Sequence, residues 1–231
     1  MKKIKFMAGS HDSAIKLIPP APAKTFVPDW YRKAERFIGG KMDLIESGIN
    51  KDLKLCVPFL DALTSGYCIE LPCDIYVKRD SNGINFYWHE EPMPINLRSK
   101  NMATTLPRPS GHEESLYAWK SQWAVITPPG YSAIFTHPLN RFDLPFTTTS
   151  GVVDSDKYFS SGEIPFFLKD GFEGVIPAGT PIVQIIPIRR EPWEHEILPY
   201  NEEFLSRNRY SIQKLLYGGY KKFLWQKKEY K

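Results

Sequence analysis

From Leu55 to Pro192 the chain runs in short apolar stretches, many of them alternating with polar positions and most closed by Gly, Pro, Asn or Asp. Alternation with a period of two places one set of side chains on each face of a strand, so this pattern predicts β-structure. In DIYVKRDSNGINFYWH (74–89), two alternating runs flank Asp80, Ser81, Asn82 and Gly83, a strong hairpin turn. Further strands are expected in YAWKSQWAVITPP, YSAIFTHPL, RFDLPFTTTSGVVD, IPFFLK and GVIPAGTPIVQIIPI. The last of these is nearly all apolar, yet it keeps one amide side chain within its second apolar run, Gln184. Residues 90–115 show no periodicity and predict a long connection, a length that is usually functional or disordered.

The two ends of the chain follow a different rhythm. Near the N-terminus an extended proline-rich arm leads to Pro28 and Asp29, which open a short helix that Gly39 and Gly40 stop. After Pro192 the apolar positions Leu215, Leu216, Tyr220, Phe223 and Leu224 recur at near-helical spacing. Asn201 reads as the N-cap there, with Glu202 and Glu203 in the first turn. The expected fold is mainly β (α+β), an antiparallel β-sandwich or barrel with short helices at both termini. Its expected parts are an N-terminal arm and helix packed on the core (1–54), a β-rich core (55–192) and a basic helical extension (193–231).

Composition narrows the picture. The 231 residues, 42% of them hydrophobic, suffice for a sizeable core, and 20 prolines with 14% aromatics argue against a helical bundle. No run of 18 apolar residues occurs, and MKKIKFMAGSHDS lacks the long apolar stretch of a signal peptide, so a soluble, cytoplasmic protein is expected. Net charge is only +4, but the last 25 residues hold eight Lys or Arg and one acid. A basic aromatic tail can meet nucleic acid, an acidic partner or a membrane surface. Its near-helical pattern fits a solvated helix docked on its own domain better, so the tail alone does not make a nucleic-acid-binding protein.

No GxSxG elbow, Walker loop or GxGxxG occurs, which removes serine-hydrolase, P-loop and Rossmann readings. Cys56, Cys68 and Cys73 form no CxxC pair and read as small buried hydrophobes, although a zinc site using them with His89 is conceivable. An iron oxygenase site would need His89, with Glu90 and Glu91, to meet His137 and Asp143; isolated histidines are more often structural. No metal ligand set is therefore assigned.

Two carboxylates and a tyrosine follow a strand in SGVVDSDKY (150–158). This segment and the later Gly179, Ile182 and Gln184 resemble, in order, motifs of the dUTPase and dCTP deaminase superfamily. Gly66 and Tyr67 in TSGYCIELPCDIYV (64–77) resemble its first motif. The resemblance implies a dUTPase-like fold and a pyrimidine deoxynucleotide ligand, with magnesium if that ligand is a triphosphate. Asp154 would hold the sugar hydroxyl or orient water, as the catalytic candidate. Tyr158 would stack on the sugar and Gln184 would satisfy phosphate or base. Gly66, Tyr67 and Asp156 would complete the ligand site, with Arg141 as the phosphate or carboxylate clamp. This chain lacks the family's Arg-Gly or Glu-Gly pair after the aspartate and has TTT where a serine motif belongs, so the resemblance implies nucleotide binding and leaves hydrolysis open.

Taken whole, PDWY, CVPFLDALTSGY and the run from 127 to 193 are similar to uncharacterised proteins of tailed bacteriophages, cyanophages among them, and of some bacteria. That similarity implies host cytoplasm or virion as the location. It also brings a second class into view: a non-enzymatic virion-structural or host-interaction protein, with a protein partner or a homo-oligomer.

Overall fold

The computed structural model describes residues 2–11, 17–46, 48–81, 83–89, 92–97, 107–159 and 161–231. Asn82, Glu90, Glu91 and residues 98–106 of the long polar connection lie outside them. Sixteen strands occur among the described residues. They are β1 (Lys5–Ala8), β2 (Ala21–Pro22), β3 (Leu44–Ile45), β4 (Gly48–Ile49), β5 (Tyr67–Glu70), β6 (Ile75–Asp80), β7 (Gly83–Tyr87) and β8 (Ile95–Leu97) in the first half. The second half holds β9 (His112–Lys120), β10 (Trp123–Ile126), β11 (Tyr131–Thr136), β12 (Phe146–Thr148), β13 (Gly151–Val153), β14 (Glu163–Lys169), β15 (Gly174–Ile176) and β16 (Pro181–Arg189).

Every pairing among these strands is antiparallel, as the sequence pattern predicts. A five-stranded sheet has the order β13-β11-β16-β5-β2, and a four-stranded sheet the order β12-β14-β9-β8. A three-stranded sheet, β15-β6-β7, contains the expected hairpin, with Asp80 opposite Gly83. The N-terminal segment is woven into these sheets, since β1 pairs with β10 and β2 with β5.

One apolar cluster draws on the five-, four- and three-stranded sheets: Ala133, Ile182, Val183 and Ile185 from the first, Trp119, Phe146, Phe166 and Leu168 from the second, Ile75, Val77 and Ile176 from the third. At its centre the Trp119 and Phe166 rings stack 3.7 Å apart, and the Trp119 indole donates to Thr148, whose hydroxyl donates to the Ile182 carbonyl. That chain of bonds ties the two larger sheets together from inside, leaving no buried hydroxyl unsatisfied along it.

The helices are short. They are α1 (Asp29–Lys33), α2 (Val57–Thr64), α3 (Glu202–Gln213) and α4 (Gly219–Phe223). Asn201 caps α3 as predicted, its side chain accepting from Phe204 N. The helical stretch expected around Arg36 and Phe37 does not form, because Ala34 already leaves helical geometry and Phe37 bridges to Lys51. Among the described residues no helix is long and apolar enough to cross a membrane.

Candidate functional site

Strand β13 pairs with β11, Val153 lying opposite Ala133, and the chain then turns so that Lys157 N and Tyr158 N both donate to the Asp154 carbonyl. The turn aims two carboxylates at the start of β11. Asp154 Oδ1 accepts from Ser132 Oγ at 2.7 Å and from Arg190 Nη1 at 3.1 Å. Asp156 accepts from Gly130 N at 2.8 Å and takes a two-pronged bond from Arg190. This fork geometry is the strongest form of carboxylate pairing. Its bonds hold the Asp156 carboxyl at a pKa of about 2, against an ordinary 3.8, with the Arg190 hydrogen bonds as the largest cause. Asp154 keeps its carboxyl more than half exposed, open to a ligand from solution.

The other expected site residues lie elsewhere. Gln184 sits in β16 opposite Thr136 and is only 1% exposed. Its carbonyl accepts from Leu139 N at 2.7 Å, and its amide donates to the carbonyls of Ala62 at 2.9 Å and Ser65 at 2.6 Å. Three backbone groups, two at the C-terminal end of α2 and one in the loop after β11, take up the whole side chain, so Gln184 is a structural tie. Arg141 grips Asp143 through two nitrogens and donates to the Phe26 carbonyl, which leaves it a brace for the N-terminal segment.

Gly66 has φ +73°, and an added Cβ would stand 2.0 Å from the Ile185 carbonyl oxygen, so only glycine fits beside β16. Tyr67 packs edge-on against Phe6 and Tyr230, and its hydroxyl donates to the Lys231 carbonyl.

The seven residues therefore do not converge. Ser132, which holds Asp154, and Thr136, opposite Gln184, are four positions apart on β11, roughly 13 Å at strand rise. Asp154, Asp156 and Tyr158 gather at the start of that strand, with Arg141 and Gln184 at its end. The arginine at the acidic turn is Arg190, not the expected Arg141. The register that pairs Tyr131 with Arg189 carries Arg190 past the end of β16 and back to Gly130. Sequence spacing favoured Arg141 because it precedes Asp143 and SGVVDSDKY, whereas Arg190 comes from a distant strand.

Beside the turn a cleft of about 410 Å³ opens between the sheets. Val125, Phe135, Val153 and Ile164 wall it, Ser150, Ser155 and Glu163 supply polar groups, and the exposed Tyr158 ring stands at its edge. Of the expected ligand-site residues, Tyr158 alone lines it.

The histidines have structural partners. His137 Nε2 meets the Arg141 carbonyl at 3.0 Å and its Nδ1 accepts from Thr148 N at 3.3 Å, with burial lowering its pKa. A neutral ring with both nitrogens engaged has no lone pair for a metal. His89 packs edge-on against Tyr76. Burial pushes the Cys68 thiol up to about 12, which makes it an inert core group. Among the described residues no three His, Cys, Asp or Glu side chains gather as a metal site.

No protein-family model and no curated protein matches the chain. Two solved structures do resemble it: a mutant dUTPase from phage phi11 of Staphylococcus aureus and a mutant dUTPase from Staphylococcus bacteriophage 80alpha. Each aligns over 87% of this chain, and over 99% and 98% of its own, with a TM-score of 0.38 and 11% identity. At such identity and overlap the chemistry has to be argued from this chain's own residues.

Proposed function

We propose that the chain is a non-enzymatic assembly protein, a virion-structural or host-interaction component, whose C-terminal extension docks on a second copy of itself. One observation carries this reading. Beyond Arg190 the chain forms no regular structure until Glu202, and it holds Trp193 at 83% and Ile197 at 91% exposure, with Leu198, Tyr200, Phe204 and Leu205 exposed after them. Six such side chains offer on the order of 800 Å², one partner's share of a standard interface.

The core carries a surface of matching character. Val152, Tyr158 and Phe159 are exposed along and just after β13, which ends the five-stranded sheet. An edge strand accepts an extended segment through its unpaired backbone groups. Each copy thus brings both an arm and an acceptor, the condition for a closed symmetric pair. Light scattering on the purified chain tests this: a mass above one chain that falls on dilution is expected, and a monomer at every concentration contradicts it.

The cleft supports a second reading, binding of a pyrimidine deoxynucleotide. Its volume suits a nucleoside, and Tyr158, with Asp154 in the same turn, is the pair that the motif resemblance would place on the sugar. In that reading dUTP or dCTP with magnesium raises the melting temperature, and Asp154→Ala abolishes the rise. Absence of a shift with any nucleotide removes it.

A further inference from the structure

The chain's last segment is a built element. Gly218 has φ +75°, a left-handed turn that reverses the chain after α3. At Gly219 an added Cβ would lie 2.1 Å from the Ile212 carbonyl oxygen, so α4 packs backbone to backbone on α3. This small hairpin is pinned to the body at separate points. Tyr217 meets Phe37 edge-on at 5.4 Å, while Trp225 Nε1 and Lys228 Nζ both donate to Asp61, at 2.8 and 2.6 Å.

Cations and rings are interleaved on its outer surface. Lys214 Nζ stands 4.9 Å from the Tyr210 ring centroid and 5.9 Å from that of Phe223, and Lys222 stands 5.5 Å from Phe223. The basic groups near the hairpin's ends have acidic partners: Arg207 with Glu203, Arg209 with Glu202, Lys227 and Lys231 with Glu229. Lys214, Lys221 and Lys222 have no carboxylate within ion-pair distance among the described residues. Tyr210 stays 68% exposed and Phe223 43%. The patch is cationic, aromatic, held in place and uncovered.

We propose that this hairpin binds single-stranded nucleic acid, with Lys214, Lys221 and Lys222 on phosphates and Tyr210 and Phe223 stacking on bases. Basic groups that track a backbone beside rings that stack on bases are the general means of holding a single strand. Duplex is disfavoured, because Tyr210 and Phe223 can stack only on bases that are not already paired and stacked in a helix. An acidic membrane is disfavoured too: burying these rings would carry their lysines toward the acyl region, where charge is costly.

The test is fluorescence anisotropy of a labelled oligothymidylate of about 20 nucleotides with the full chain, long enough to span such a patch. Three phosphate contacts predict a log–log salt slope of about −2 between roughly 50 and 200 mM salt. K214Q/K221Q/K222Q should weaken binding at least about tenfold at low salt and flatten the slope. Y210L/F223L should lose about tenfold with the slope unchanged, which separates stacking from charge. All five side chains are exposed, so the melting temperature of both variants should match the parent. The proposal is overturned by no binding at low salt, by triple-lysine or aromatic variants that bind like the parent, or by tighter binding to phosphatidylserine vesicles than to the oligomer.

Discussion

Gln184 and Trp193 lie close in sequence and break the usual sorting of side chains in opposite directions. Gln184 is a polar group inside the core, and every hydrogen-bonding atom of its side chain meets a backbone partner. Trp193 is the largest of the apolar side chains and stands in solvent, in an extension where Ile197, Leu198 and Tyr200 do the same. A buried polar group that is fully bonded makes the structure specific to itself. Apolar groups left in water carry an unfavourable energy of about 25 cal/mol per Å², relieved when something covers them. Polarity out of place in the core therefore reports on folding. In the proposed function, apolarity out of place on the extension reports on recognition.

The largest expected effect sharpens the first half of the contrast. Gly66→Ala places a Cβ against the Ile185 carbonyl in a positive-φ position, and about 4 kcal/mol of stability should be lost, read from denaturant unfolding. Next comes Gln184→Leu, which strands the Leu139 N–H and two carbonyls inside the protein. A loss of about 3 kcal/mol is expected, a fall in Tm of roughly 6–12 °C. If Gln184 served a ligand instead, the variant would keep its Tm and lose only binding.

A smaller effect belongs to the acidic turn where the extension leaves the core. Asp156 has its pKa lowered from 3.8 to about 2 by Arg190, so its contribution is complete above the unfolded carboxylate value and is lost as pH falls from about 4 to 2. Arg190→Met should flatten that part of the stability–pH curve while leaving neutral-pH spectra unchanged. The smallest effect on stability is expected from W193S/I197S. Both side chains are exposed in the single chain, so at concentrations where the parent is a monomer unfolding should shift by less than about 0.5 kcal/mol.

The antiparallel sheets were legible because period-two alternation and turn residues are local signals; β6 and β7 around Ser81 are the clearest case. The start of α3 was legible for the same reason, since Asn201 and two acids write a cap within one turn. Arg190 was not legible, because its bond to Asp154 and Asp156 depends on the register between β11 and β16. Nor could spacing tell that Arg141 turns back onto Asp143 and Phe26. Gln184 shows the limit most plainly. Its place in an apolar strand marked it as unusual, but Ala62 and Ser65 at the end of α2 and Leu139 in a loop are brought around it only by the fold.

Sedimentation velocity of the parent chain beside W193S/I197S tests the central claim most directly. A concentration-dependent dimer or larger assembly in the parent, and a folded monomer in the variant, is the predicted result. A parent that sediments as a monomer throughout, or a variant that assembles just as the parent does, would contradict it.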